Sequence, residues 1–450
     1  MRGHLESQLN DFSFEKRKAA LLQLLKLAEE NPAMLPPEGN HVNMHCHSFY
    51  SFNAYGYSPS ALVWLAKQLG WQVAGIVDFD NLDGVDEFLS GCDLASVRGS
   101  AAMETRIFIS EFAEYVANSP GEPGVSYSCG IGFSSGKVNE KGKKILKSMR
   151  ERADQRNRSM VEHLNDYLDP VCIDYEEDVI PLTPSGNATE RHMLSAYLDA
   201  ASRVFPDPAP FWADKMGLKE SEVRELMQDL ALFSDAVRRK LMKQGGIAYV
   251  QPGPKTFPPA EEFYEMVISN NAIPSFNYLN GATEGEQRME ELLELLIAKG
   301  IAAFNMIPNL AVPDPQSDPD NYEIRKKRAE LLKKNADLAR DFDLPLHIGT
   351  EMNSYGQRKE DDLSTEELAP LQKHFIDGAY FIYGHVQLQR TLGIGYQSAW
   401  AKSFMPTRAE RNRFYTKAGY LIPPGFKSME TLKSLDGSMN PPDLLKKLEA

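Results

Sequence analysis

Apolar positions first fall into register within residues 14–30, where Leu21, Leu22, Leu24, Leu25 and Leu27 line one face of a helix. Pro32, Pro36 and Pro37 end it. From Val42 the period drops to that of a strand, so Asn43, His45 and His47 share one face while Val42, Met44 and Cys46 share the other. Ser58 is placed to cap a helix running through Leu62, Trp64 and Leu65 to Gly70, after which Val73–Val77 reads as a buried strand leading into Asp78, Phe79 and Asp80. A helix over Leu82–Ala95, a strand over Ala101–Ile109 with Glu104 and Arg106, a turn-rich stretch at 118–124 and a strand at Val125–Ile131 follow.

From Lys137 the character changes to long charged helices, which read as a helical insertion. Alternation resumes at Pro259, with strands at Ala272–Tyr278, Ile301–Ile307 and Leu344–Thr350 separated by helices at Glu284–Lys299 and Tyr322–Asp341. Helix-then-strand alternation predicts a parallel sheet, open or closed. The run Ala379–Tyr383 before His385 reads as a further strand end, and the segment from Thr391 has helical and turn character without a motif. The organisation is therefore an N-terminal helical extension (1–40), a first part of a barrel (41–137), the helical insertion (138–250), a second part of the barrel (251–360) and a C-terminal segment that packs on or completes it (361–450).

Composition narrows the function classes. At 450 residues, 42% apolar and 25% charged, the chain has material for a large core. It has no apolar run of membrane-spanning length, and the start lacks the apolar core of a signal peptide, so a cytoplasmic location is expected. Cys46, Cys92, Cys129 and Cys172 lack metal-knuckle spacing and fit free thiols of a reducing compartment. A net charge of −14 without a basic run argues against nucleic acid as a partner.

Candidate chemistry collects where strands end. Two imidazoles at His45 and His47 invite a metal ion, and Glu104 sits where a third strand finishes. Asp78 has two readings, a base that orients water or a carboxylate bonding loop amides. The aromatic cluster Phe49, Tyr50, Phe52, Tyr55 and Tyr57 reads as a pocket wall.

The order of these residues resembles the PHP (polymerase and histidinol phosphatase) superfamily of metal-dependent phosphoesterases. HVNMHCHSFYSFNAYGYSPSALVWLAKQLGWQVAGIVDFDNLDGVDEF is similar to that family's opening histidine pair, helix and strand, Glu104 to its strand-end glutamate, and GNATERHMLSAYL to the Arg-x-His helix of its insertion. AIPSFNYLNG falls where an Ala-His-Pro-Gly turn is usual, and PLHIGTEMNS aligns with the closing Gly-Ser-Asp-Ala-His motif. The resemblance covers residues 41–355 and implies an α/β fold, a distorted (β/α)7 TIM-like barrel with a helical insertion.

It also implies a multinuclear metal cluster ringed by histidines, and this chain departs from that pattern. Asn53, Phe79, Ser126 or Tyr127, Tyr278 and Asn353 stand at family ligand positions. What remains by resemblance is one coordination set, His45, His47, Glu104 and Glu351, the last replacing an aspartate. Two neutral imidazoles and two carboxylates suit one divalent transition metal, zinc, iron or manganese. The implied function is a metal-dependent hydrolase, phosphoesterase-like or amidohydrolase-like, using metal-activated water at a mononuclear site on a small-molecule substrate, phosphorylated metabolites among the options. Asp78, His192 and Arg191 are the candidate catalytic residues, with Arg106 and Lys255 as further cations. The alternative is a catalytically silent barrel that binds a ligand or partner.

Overall fold

The computed structural model describes residues 2–253, 255–308 and 319–449. Seven strands, β1 (Val42–Cys46), β2 (Val73–Phe79), β3 (Arg98–Phe108), β4 (Val125–Ile131), β5 (Ile273–Tyr278), β6 (Ala303–Met306) and β7 (Leu346–Ile348), form one sheet in chain order. The sheet curls until its edges meet. Just past β7, Glu351 bridges to Cys46 in parallel sense, with the His47 N–H donating to the Glu351 carbonyl at 2.8 Å and the Glu351 N–H to the His45 carbonyl at 2.7 Å. The result is a distorted TIM-like barrel.

One strand departs from the parallel arrangement expected from the alternation: β4 runs antiparallel to both β3 and β5. The reason is local. A parallel pair needs a helical crossover, whereas the described chain between β3 and β4 holds only the one-turn 3-10 helix Ser110–Phe112. Tyr127, near the start of β4, therefore lies level with Arg106, near the end of β3. β4 finishes at the opposite end of the barrel, where β5 begins, yet the segment inserted between them first climbs toward the mouth. It does so as the 29-residue helix Glu140–Leu168, about 43 Å long at 1.5 Å per residue. Its start is tied to Ser269 and Asn270, just before β5 begins, by Asn139; further on, Arg150 pairs with Asp83 beyond the end of β2. Past Ala153 the helix joins a separate apolar cluster that includes Leu164, Met193, Trp212, Phe233 and Val237.

Period-2 alternation decides which side chains enter the lumen. Register aligns Phe79 with Glu104, Glu104 with Cys129, Arg106 with Tyr127, Cys129 with Ser275, Asn277 with Asn305, and Asn305 with His347. The lumen near the mouth is thus polar and continuous around five strands.

The expected strand at Ala379–Tyr383 is instead the middle of the helix Gln372–Leu392, which is buried on every side along most of its length. A short apolar run does not distinguish a strand from a buried helix. This helix closes the barrel end opposite the mouth: Gly378 meets Leu346 at the start of β7, Arg98 at the start of β3 lies over Tyr380, and His385 Nε2 bonds the Gly132 carbonyl after β4. A Cβ at Gly378 would stand 1.7 Å from the Leu346 carbonyl oxygen, so only glycine allows this approach. All four cysteines are free thiols, Cys172 alone being exposed. No described helix is long and apolar enough to cross a membrane.

Candidate metal centre

His45 and His47 leave β1 on its lumen face and meet Glu104 of β3. The Glu104 Oε2 lies 3.5 Å from His45 Nε2 and 3.3 Å from His47 Nε2, and the three ligand atoms fall within 4.8 Å of one another. All three side chains are buried. Among the described residues neither His45 Nε2 nor His47 Nε2 has a hydrogen-bond partner, an arrangement rare for buried polar atoms. Two nitrogens and a carboxylate oxygen that converge without other partners fit a divalent transition metal. Electrostatics agree: burial favours a neutral Glu104, but His45 and His47 together hold its carboxyl well below the usual carboxylate range. Burial likewise opposes charge on His45, yet Glu104, backed by Glu351 and Asp78, raises its pKa.

Glu351 meets the site through its backbone. Its main chain bonds to both histidine residues, but its carboxylate is outside the group of three, and its Oε2 is 3.5 Å from Gln357 Nε2. Glu351 and Met352 both have left-handed backbones, with φ of 64° and 58°. Such strain in residues other than glycine clusters at functional sites.

Asp78 faces away from the lumen. Its Oδ1 accepts the Ser48 N–H at 2.8 Å and the Ser51 hydroxyl at 2.7 Å, and its Oδ2 accepts the Ser48 hydroxyl at 2.7 Å. This is the loop-bonding reading of Asp78, with one consequence for the site. Because the Ser51 proton goes to Asp78, Ser51 Oγ accepts at 3.1 Å from His47 Nδ1, which leaves the Nε2 lone pair aimed at Glu104. Ser51→Ala is expected to release this tautomer and weaken metal binding roughly 10- to 100-fold, as read by chelator competition; unchanged affinity would remove Ser51 from the site.

His192 and Arg191 sit on the first turn of the helix Glu190–Val204. His192 turns back to complete the capping box, its Nδ1 accepting the Thr189 N–H at 3.1 Å, and burial depresses its pKa to about 4. It is therefore neutral and packs edge-on against Phe52. Arg191 faces a cavity of about 390 Å³ above the triad, where its guanidinium bonds Ser354 and, at 3.5 Å, Asn353 Oδ1. Burial, together with Arg238, lowers its pKa to about 10. Lys255 is exposed and outside this cavity.

The cavity wall adds residues that the sequence reading left unassigned. Arg156, from the rising helix, lines it with its Nε unpartnered among the described residues, and lies 5.5 Å from the Phe257 ring whose centroid lies 4.2 Å from Arg106. Arg106 itself is held by Glu122 at 3.0 Å, while Arg238 and Lys243 share Glu190 at 3.0 and 2.8 Å. Only the helical phase of a long insertion helix places Arg156 here, and one chain carries no mark of it.

The other positions that the resemblance aligned with metal ligands also take definite places. Phe79 stacks on His47 at 4.5 Å. Asn53 bonds the His47 carbonyl at 2.7 Å and Tyr127 lines the cavity, whereas the lumen position at β5 belongs to Asn277 and not to Tyr278. A one-residue shift in alignment reverses the face, so the residue standing opposite Glu104 is an amide.

No family model matches the chain, and no curated protein matches it. Among solved structures it is similar to an amidohydrolase from Chromobacterium violaceum with bound sulfate and no metal, at 14% identity and a TM-score of 0.48 over 74% of this chain and 96% of that one. It is also similar to a protein described as a metal-dependent phosphoesterase from Bifidobacterium adolescentis, at 18% identity and a TM-score of 0.47 over 76% and 97%.

Proposed function

We propose that this protein is a metal-dependent hydrolase that cleaves a phosphoester of a small metabolite at the His45–His47–Glu104 centre. The observation that carries the reading is the pair of orphaned imidazole nitrogens converging on a buried carboxylate at the floor of a cavity whose wall holds two arginines, Arg156 and Arg191, engaged with neutral groups. A divalent ion held there supplies Lewis-acid polarisation of a phosphoryl oxygen and activates water for attack.

The chain's own residues do the rest. A planar guanidinium meets phosphate oxygens through paired N–H donors, so Arg191 and Arg156 are placed to take up the anion and the charge that builds on it during cleavage. Phe52, Phe79 and Phe257 limit water around them. Asn353 and Ser354 hold Arg191 in position from the strained turn after β7.

The test is hydrolysis of a panel of small phosphomonoesters by protein supplied with zinc, iron or manganese. Turnover is expected, inorganic phosphate should compete, and Arg191→Met should lower kcat/KM by roughly 10²- to 10³-fold. Protein that takes up no metal and turns over nothing would favour a ligand-binding barrel instead.

A further inference from the structure

Two buried amides connect Glu104 to His45 by a second route. Asn277 Nδ2 donates to Glu104 Oε1 and approaches Cys129 Sγ at 3.3 Å; Asn277 Oδ1 accepts from Asn305 Nδ2 at 3.2 Å; and Asn305 Nδ2 lies 2.8 Å from His45 Nδ1. Asn277 and Asn305 are fully buried on adjacent strands at matched register. Direction along this chain follows from donor counting. An ionised carboxylate only accepts, so Asn277 must present its NH₂ to Glu104 and its oxygen to Asn305. Asn305 must then present its NH₂, one hydrogen to Asn277 and the other to His45 Nδ1. The Asn305 oxygen is left with no partner, as observed among the described residues. His45 Nδ1 accepts, which puts the ring proton on Nε2, 3.5 Å from Glu104 Oε2.

His47 is set the other way, with its proton on Nδ1 toward Ser51 and its lone pair on Nε2. We infer that Asn277 and Asn305 are positioning residues of the metal centre, an amide relay that carries the Glu104 charge to His45 and holds the two imidazoles in opposite tautomers. His47 is a preset ligand. For His45 to offer a lone pair at Nε2, its ring proton must move to Nδ1; the group facing Nδ1 is Asn305, whose amide is held with N–H toward that nitrogen because its turned form would set oxygen against Asn277 Oδ1, so the relay works against His45 as a ligand. The relay therefore sets how firmly a cation is held without touching it.

This inference rests on the metal-site reading above, and its first measurement is independent of that reading. In metal-free protein carrying ¹⁵N-labelled histidine, the ring shifts are expected to show His45 protonated on Nε2 and His47 on Nδ1. Asn305→Ala should erase the His45 preference and leave His47 unchanged, whereas Ser275→Ala, which removes the partner of His347 elsewhere in the lumen, should alter neither. With zinc, native His45 should shift to the Nδ1-protonated form, and Asn277→Ala and Asn305→Ala, which free Nδ1 from the N–H that opposes this shift, should bind roughly 5- to 10-fold more tightly while still saturating at the native stoichiometry. Native His45 found with its proton on Nδ1 in the metal-free protein overturns the relay, with no variant required. Unchanged zinc affinity in a folded Asn305→Ala protein overturns its positioning role. Failure of the native protein to take up zinc, iron or manganese overturns the metal reading, and the tautomer result then stands alone.

Discussion

Glu104→Gln is expected to abolish uptake of a divalent transition metal while leaving the barrel folded. The argument turns on what the exchange preserves. Glutamine keeps the shape and an acceptor oxygen for Asn277, so the lumen loses neither volume nor its amide bond. What disappears is the one carboxylate of the converging group, leaving two imidazoles to hold a dication in a buried place. Replacing residues that merely orient metal ligands typically costs 10- to 100-fold in affinity, so loss of the charged ligand should cost roughly 100-fold or more. Because His45 and His47 stabilise the Glu104 charge in the folded state, the metal-free variant should melt somewhat below metal-free native protein while still unfolding cooperatively. Chelator competition and elemental analysis measure the first quantity, and thermal unfolding without metal the second. A Glu104→Gln protein that binds zinc as tightly as the native chain would place the ion elsewhere.

The largest effect on stability is expected at the N-terminal extension. Arg17, in the helix Phe14–Glu30, is buried against Glu87, donating from Nε at 2.9 Å and from Nη2 as well, and its Nη1 reaches the Asp11 carbonyl at 2.7 Å. The side chains of the pair retain only 1% and 6% of their exposure. Arg17→Ala leaves Glu87 charged and unpaired in the interior, a change that costs roughly 3–5 kcal/mol. Arg17→Met combined with Glu87→Gln should recover most of that, because the glutamine oxygen still accepts from the Ser60 N–H and hydroxyl. Denaturant midpoints of the two variants decide it; equal losses would mean that packing, not the stranded charge, dominates. The effect reaches the site, since the same extension holds the loop carrying Ser51: Arg17 meets the Tyr50 hydroxyl at 3.3 Å and Ser58 bonds Leu9 and Asn10.

Much of the centre could be read before any coordinates. Alternation alone put His45 and His47 on one face, because a strand bounded by prolines and a capped helix has a secure register. Ser58 does accept the Ala61 N–H, and Gly70 does take the left-handed conformation that ends that helix. Other features were illegible for identifiable reasons. Alternation has no direction, so nothing in Val125–Ile131 marks β4 as reversed. Asp78 and Phe79 are neighbours, and only the pairing of Phe79 with Glu104 shows which of them enters the lumen. Tyr278 and Asn277 exchange roles through the same one-residue ambiguity. The ion pair of Arg17 and Glu87 joins residues 70 positions apart, a contact that no local pattern encodes.

The reversal of β4 has a consequence for how the mouth tolerates change in chain length. Arg156 reaches the cavity from the fifth turn of a rod that starts at the far rim, so its bearing is fixed by counting residues from Glu140. Deleting or adding one residue along that climb would swing everything beyond it by about 100°, carrying the guanidinium off the opening while the three converging ligands below stayed undisturbed.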